Sequence, residues 1–141
     1  MSQENVEVAK AGVAAINEAY STGRIEPWAR HVGRAFEPDV VLEGSTDVFT
    51  EGDWRGHQGV IDFVANQMDV LVDMWMEADE FIDVNDECLV VLLRFGGRAR
   101  HTGIPFELSP VHVFDLRDGR AVRWRVFTTR RAGLEAAGLS E

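Results

Sequence analysis

The chain has 141 residues, of which 45% are hydrophobic and 27% are charged; this balance is typical of a folded globular protein and excludes a disordered one. Its 14 basic and 24 acidic residues give a net charge of −10. That charge argues against nucleic acid or an anionic membrane as a partner, because both are bound by basic surfaces. Cys88 is the single cysteine, which excludes an internal disulfide and a cysteine-based zinc site.

The N-terminal segment is polar and acidic, unlike a signal peptide, and no apolar run approaches the roughly 20 residues that span a bilayer. The sequence therefore predicts a cytoplasmic protein. We find no linker, internal repeat or low-complexity tract, so we predict a single domain over residues 1–141.

Helical periodicity comes first along the chain. Apolar residues spaced by three and four predict three helices: 5–20, a shorter one that starts near Pro27 and ends at Pro38, and 58–76. On the third of these, Asp69, Asp73 and Glu77 are spaced to form one solvated face. A short strand over 39–43 and a polar loop over 44–56 separate the second helix from the third.

Strand periodicity follows. Strands are predicted over 78–84 and 88–95, a turn over 96–103, and a last hairpin over 104–116 and 121–128, before a short helix over 131–137. Helices followed by a meander of strands predict an α+β fold with an antiparallel sheet.

The last hairpin has two candidate registers. A two-residue turn at Asp118-Gly119 would pair Arg117 with Arg120, whereas a three-residue loop that includes Arg117 would pair Leu116 with Arg120. The second register makes one face apolar throughout, and burial of one face usually fixes register. We therefore predict the three-residue loop. It places His112 on the same apolar face as three neighbours, Phe114, Trp124 and Val126.

The order of elements and several stretches of sequence resemble the SnoaL-like proteins of the nuclear transport factor 2-like superfamily. The stretches are Trp54-Arg-Gly56-His-Gln-Gly59-Val, Arg98-Ala-Arg-His-Thr-Gly103, Pro110 to Gly119 and Arg131 to Gly138. The resemblance implies a cone, in which three N-terminal helices pack on a strongly curved, mixed but mainly antiparallel sheet around an internal pocket. Members of this superfamily include isomerases, cyclases, dehydratases, epoxide hydrolases and plain binding proteins, so fold does not decide function.

Three mechanisms from this superfamily lack their carboxylates here. The functional positions of ketosteroid isomerases correspond to Ala15, Gly44 and His112. The first-strand positions of limonene epoxide hydrolases correspond to Leu42 and Gly44. The last-strand aspartate, which the SnoaL cyclases also use, corresponds to Val126.

His112 is the candidate catalytic residue, because an imidazole in an apolar pocket can act as a general base or hydrogen-bond donor with a pKa near the working pH. The alternative is a core histidine with a protein partner. Arg94 would bind a ligand if it faces inward and would be a surface charge if it faces outward. The other candidate ligand contacts are apolar: Trp28, Leu42, Phe63, Phe114, Trp124 and Val126.

The sequence contains no metal-ligand spacing and no phosphate-binding glycine loop, so it predicts no metal and no cofactor. Two functions remain: a cofactor-free acid–base enzyme that uses His112, or a protein that binds a small hydrophobic molecule without converting it. We also predict a homodimer through the outer sheet face, because Val111, Val113 and Phe127 would leave that face too apolar for a monomer.

Overall fold

In a computed structural model, residues 2–44 and 52–139 are described, and this part of the chain forms four helices and a seven-stranded sheet. The helices are α1 (Ser2–Thr22), α2 (Glu26–Ala35), α3 (Gly56–Val70) and α4 (Arg130–Ala136). The strands are β1 (Phe36–Gly44), β2 (Gly52–Arg55), β3 (Leu71–Asn85), β4 (Cys88–Ala99), β5 (Pro105–Leu108), β6 (Val111–Arg117) and β7 (Arg120–Phe127). Most of the predicted loop over 44–56 lies outside the described residues.

The sheet is mixed but mostly antiparallel, as the sequence predicts. Its strand order is β2-β1-β7-β6-β4-β3, and β5 pairs with the far half of β4. Only β1 and β7 run parallel among the described pairs, because the segment that joins them along the chain includes α3 and the whole meander. Three register shifts in β3 mark irregularities of the kind that bend and twist a strand.

The buried core lies between the inner face of the sheet and the first three helices. α1 and α2 supply the apolar stripes that their spacing predicts, including Ile16, Trp28 and Val32, which are almost fully buried. On the sheet side the core continues through alternate residues of the central strands, such as Val91 and Trp124. This arrangement determines which side chains can reach the interior of the cone.

The predicted third helix is wrong beyond residue 70. The helix ends at Val70, and the segment from Leu71 to Met76 is the first part of β3, paired with β4. Asp73 adopts a positive φ of 54° inside an irregular stretch of that strand, and Glu77 lies opposite Arg94. These acidic residues therefore do not form a helical face with Asp69.

The predicted turn at Gly96-Gly97 is also wrong, because β4 continues through both glycines to Ala99. Trp75 of β3 packs over Gly96, and a Cβ atom at Gly96 would lie 2.5 Å from its ring. Gly97 is equally crowded, by the backbone at Val72 and Met74. The two glycines permit close packing inside a strand. From the sequence, the same pair of glycines was interpreted as a chain reversal.

The last hairpin has the predicted facing but a different register. Its turn has two residues, Asp118 and Gly119, with φ of 53° and 80°, so Arg117 pairs with Arg120 as the rejected alternative required. A bulge at Val122 then shifts the pairing, so that Phe114 lies opposite Trp124. The bulge restores the apolar inner face. The sequence predicted the same face, but through a three-residue loop in place of the bulge.

The outer face of the sheet is covered in part by α4. Leu134 and Gly133 of this helix pack on Val111 and Val113, which are at most 1% exposed. The ground for the predicted dimer is therefore wrong, because these valines are already buried within one chain. None of the described helices combines the length and the apolar character needed to cross a membrane.

Candidate functional site

A cavity of about 60 Å³, here called the main cavity, lies between α1, α2 and the inner face of β4, β6 and β7. Its lining is apolar apart from three polar side chains, Asn5, His31 and His112, and it includes two tryptophans. Trp28 and Trp124 form much of one wall, with ring centroids 5.9 Å apart, and Phe114 stacks on Trp124 at 5.4 Å. Such a site suits a mainly apolar ligand with few polar groups.

A smaller cavity of about 40 Å³, here called the side cavity, adjoins the main cavity. It lies beneath α3 and β5 and is lined by Phe63, Gln67 and Val126, among others. Four residues line both cavities and therefore separate them: Ile16, Met76, His112 and Trp124.

His112 is held in the sheet between two valines. It pairs with Val91 of β4 on one side and Val126 of β7 on the other, and its ring lies 5.1 Å from that of Trp124. The side chain is 8% exposed, yet neither ring nitrogen has a hydrogen-bond partner among the described residues. Its nitrogens are not among the fully buried unpaired atoms, so this ring is open to the cavity and is not the satisfied core histidine of the alternative interpretation.

Burial lowers the pKa of His112 from 6.5 to about 3. The expected pKa near the working pH is therefore wrong, because no nearby carboxylate compensates for the loss of solvent around the imidazolium. At neutral pH the ring is uncharged, with one nitrogen as a donor and the other as an acceptor.

Two features of α1 that shape the same cavity were not predicted from the sequence. Asn5 is 5% exposed and has no hydrogen-bond partner among the described residues. Gly12 leaves room for His31, since a Cβ atom at Gly12 would lie 2.8 Å from Nε2 of that histidine. Both residues lie on the apolar stripe of the predicted helix, and a polar or missing side chain on such a stripe is the signal that could have found them.

Burial, with a smaller contribution from the charge of Arg34, lowers the pKa of His31 to about 4. The main cavity thus contains two imidazoles that are both uncharged at neutral pH. Carboxylates are absent from the described lining of the main and side cavities. Residues 2–44 and 52–139 also contain no cluster of three or more histidine, cysteine or acidic residues suited to a metal.

The structure brings together most of the predicted ligand contacts, in two groups. Trp28, Phe114 and Trp124 line the main cavity with His112. Phe63 and Val126 line the side cavity instead.

Two predicted contacts lie outside both cavities. Arg94 lies on the outer face, where its Nε donates to Asp79 at 3.0 Å and its Nη2 donates to Glu77 at 2.7 Å. It alternates with inward-facing Leu93, so strand geometry directs it away from the cavities. Leu42 is 0% exposed and lines neither cavity, because it packs within the core beside Trp124 and Trp54.

An acidic groove adjoins the main cavity at the end nearest the start of α1. Asn5, Leu116 and Gly119 line both the cavity and the groove. The charged side chains of the groove are mostly acidic: Glu4, Asp86, Glu87, Asp115 and Asp118, with Arg117 the one base among its described residues. The groove therefore repels anions at this end of the cavity.

The chain matches the SnoaL-like domain over residues 13–124, a range that includes α2, α3 and the sheet as far as Trp124. It belongs to the SnoaL-like domain family. A comparison with curated proteins finds no match.

Solved structures with the same fold agree with this membership. TerC, co-crystallised with polyporic acid, is 26% identical, with a TM-score of 0.72 over 94% of this chain and 96% of that one. A nuclear transport factor 2-like protein of unknown function from Burkholderia pseudomallei is 24% identical, with a TM-score of 0.71 over 96% of both chains. A hypothetical protein from Catenulispora acidiphila with a ketosteroid isomerase-like fold, in complex with trimethylamine, is 13% identical, with a TM-score of 0.71 over 94% and 93%. This SnoaL-like domain thus has the nuclear transport factor 2-like fold.

Proposed function

We propose that this SnoaL-like protein binds a small, uncharged and mainly apolar molecule that carries a hydrogen-bonding group such as a carbonyl, and that it holds this molecule in the main cavity. The observation that carries the proposal is His112, which is 8% exposed, lines the cavity and lacks a partner among the described residues. A ligand that accepts a hydrogen bond from this ring would supply the partner that the described residues do not provide.

The charges around the cavity favour an uncharged ligand. Both imidazoles that line it have pKa values lowered by burial, to about 3 and about 4, so neither offers a cation to an anionic ligand at neutral pH. The same burial makes it energetically unfavourable to place a charged group of a ligand in the cavity. The acidic groove near Asn5 and Gly119 further disfavours anions.

The most similar of the three solved structures described above supports small-molecule binding only; the expectation of an uncharged ligand rests on this chain's own residues, since the molecule in that structure is named as an acid. TerC, at 26% identity, was co-crystallised with polyporic acid, a small organic molecule. We propose ligand binding of the same general kind for this chain, in the cavity that its own side chains form.

An acid–base enzyme that uses His112 is the second candidate, because its imidazole contacts the cavity. A histidine whose pKa is about 3 is a weak base, and the general base of efficient catalysis has a pKa near the operating pH. We therefore propose binding rather than turnover. A single ketone ligand can distinguish the two functions. In D2O, a general base near a bound ketone would exchange its α-protons for deuterium; we expect the protein to leave that exchange rate unchanged.

The test uses 2-butanone and propanoate, which have the same number of non-hydrogen atoms and differ in charge. Imidazole 15N chemical shifts of His112 report binding at the cavity. Even the best small ligands gain only about 1.5 kcal/mol per non-hydrogen atom, so we expect weak, saturable binding of 2-butanone. Propanoate should cause no saturable change. Equal binding of both probes, or of neither, contradicts the proposal.

The matched controls are H112F, which keeps a ring of similar shape without nitrogens, and H101F, which makes the same change at an exposed site. H112F should lose 2-butanone binding, and H101F should retain it. If H112F still binds 2-butanone, a hydrogen bond to His112 is not required for binding, and the proposal is wrong.

The homodimer, the cytoplasmic location and the single domain stay predictions. We propose that a second copy would use the part of the outer face that α4 does not cover, which carries the ion-paired side chains Glu43, Arg123 and Asp115. Sedimentation at micromolar concentration checks the dimer; a single species of 15.8 kDa would contradict it.

A further inference from the structure

The main and side cavities share a thin wall. Four residues line both spaces and form the boundary between them: Ile16, Met76, His112 and Trp124. Two cavities that share such a boundary can join when one of its side chains rotates.

The valines beside His112 mark the two sides of this wall. Val91 lines the main cavity and not the side cavity, whereas Val126 lines the side cavity and not the main one. Both pair directly with His112 in the sheet. The ring of His112 is therefore positioned between the two spaces, within reach of a group held in either.

Met76 is the member of the wall best suited to move. Its backbone is fixed by Asn17, which donates to the carbonyl oxygen at 2.7 Å and accepts from the amide nitrogen at 2.9 Å. Its side chain is unbranched and adapts its shape more readily than the β-branched Ile16 or the ring of Trp124.

The side cavity has a polar group of its own at the far end. Tyr20 Oη donates to Oε1 of Gln67 at 3.2 Å, which orients the amide. The Nε2 of Gln67 has no hydrogen-bond partner among the described residues. Apart from His112, the remaining side chains of the lining, including Phe63 and Phe95, are mainly apolar.

We propose that the main and side cavities are two halves of one ligand site, which takes an uncharged molecule with an apolar tail. In this arrangement the polar group bonds His112 from the main cavity, and the tail passes Met76 into the side cavity. The inference rests on the proposed function and adds about 40 Å³ to a site of about 60 Å³. It identifies the ligand class as longer than the main cavity alone would hold.

The test compares 2-butanone with 2-octanone, which has the same carbonyl group and four more methylenes. Each methylene that leaves water should tighten binding about fourfold, so 2-octanone should bind at least about tenfold more tightly if only part of its chain is buried. The imidazole 15N shifts of His112 give both affinities on the full chain.

Two matched variants locate the tail. V126I adds one methylene on the side-cavity side of His112, and V91I adds the same group on the main-cavity side. V126I should weaken 2-octanone binding several-fold more than it weakens 2-butanone binding. V91I should weaken binding of both. Thermal melting verifies that each variant is folded.

A second measurement needs no variant. In the unaltered protein, the terminal methyl of bound 2-octanone should show nuclear Overhauser contacts to Phe63, which lines only the side cavity, and not to Leu93, which lines only the main cavity. If both ketones bind with equal affinity, or if the methyl contacts Leu93, the two-part site is wrong and the proposed function stands. If neither ketone binds, the proposed function fails first.

Discussion

Asn17 of α1 holds Met76 of β3 by both of its backbone polar groups, with contacts of 2.7 Å to the carbonyl oxygen and 2.9 Å from the amide nitrogen. This pairing occurs where β3 packs against α1, in a regular stretch of β3 between two register shifts with β4. A side-chain amide can donate and accept at once, so a single asparagine satisfies two backbone groups that the sheet does not. The contact fixes the part of β3 that forms the wall between the two cavities.

Replacement of Asn17 by alanine should destabilise the protein by about 1–3 kcal/mol, because it leaves the Met76 amide and carbonyl without their partner. Urea unfolding measures the loss. E18A, the next position of the same helix, is the control: its side chain is exposed and makes no side-chain bond among the described contacts, so its cost should stay within about 0.5 kcal/mol. Equal losses in the two variants would contradict the role of Asn17.

The same contact explains why the third helix was predicted to be too long. Leu71 and Trp75 have helical spacing and follow a real helical stripe, so periodicity favoured a continuation to residue 76. The strand is instead stabilised by pairing with β4 and by Asn17, which is 59 residues away along the chain. Contacts of that separation are invisible to a local pattern, whereas the alternation from Ala78 onward was enough to predict the rest of β3.

The last hairpin divides in a similar way into what was predictable and what was not. The alternation of apolar and charged residues predicted that His112 and Trp124 share a face, and this depends only on parity. The turn depends on the left-handed conformation of Asp118, and the bulge at Val122 compensates for it. Two registers that differ by two residues have the same facing, so the sequence could predict the face and not the pairing.

The candidate site was predictable in its walls and not in its chemistry. Aromatic residues at apolar positions predicted much of the lining, because the core-facing side of each strand follows from its pattern. The absence of a protein partner for His112, and the burial that lowers its pKa, depend on what the other elements place around it. The face of the sheet on which Arg94 lies could not be predicted, because the loop that follows its strand did not determine which residues of the strand face inward. In the structure the strand directs Arg94 outward.

Two glycine-to-alanine changes should have opposite effects on stability. Gly133 of α4 lies so close to Val111 that a Cβ atom would be 2.4 Å from its Cγ1, so G133A should cost about 1–3 kcal/mol as α4 shifts from the sheet. Gly33 of α2 has nothing within 4 Å of a Cβ atom, so G33A should stabilise by up to about 1 kcal/mol. Thermal unfolding of both variants checks the pair, and a neutral G133A would mean that α4 is not firmly held against Val111.

Replacement of His112 by phenylalanine should leave stability unchanged or raise it, while it abolishes binding of the neutral probe. A ring of similar shape is retained, and two polar atoms without a protein partner are removed from a mainly apolar site. Such an exchange of stability for function is common where polar groups serve a ligand. Urea unfolding and probe titration measure the two effects. A destabilised H112F with normal binding would identify His112 as a structural residue.

The stability of the protein should fall as the pH drops below about 6.5, and His112 and His31 should account for part of the slope. In the folded protein burial lowers their pKa values to about 3 and about 4, from 6.5 for an accessible histidine. Between these values the unfolded chain binds protons that the folded chain does not, so acid favours unfolding. Above pH 6.5 both states are neutral at these positions, and the contribution is flat.

Each of these two histidines should contribute about 1.4 kcal/mol per pH unit to the slope once the unfolded chain is protonated. Carboxylates also titrate in this range, so the comparison that isolates the histidine is H112F against the unaltered chain, by urea unfolding at a series of pH values from 7.5 downward. H112F should have the shallower slope below pH 6.5 and the same slope above it, and H101F should follow the unaltered chain throughout. Parallel curves for H112F and the unaltered chain would show that His112 is protonated in the folded protein, which would remove the reason for expecting an uncharged ligand.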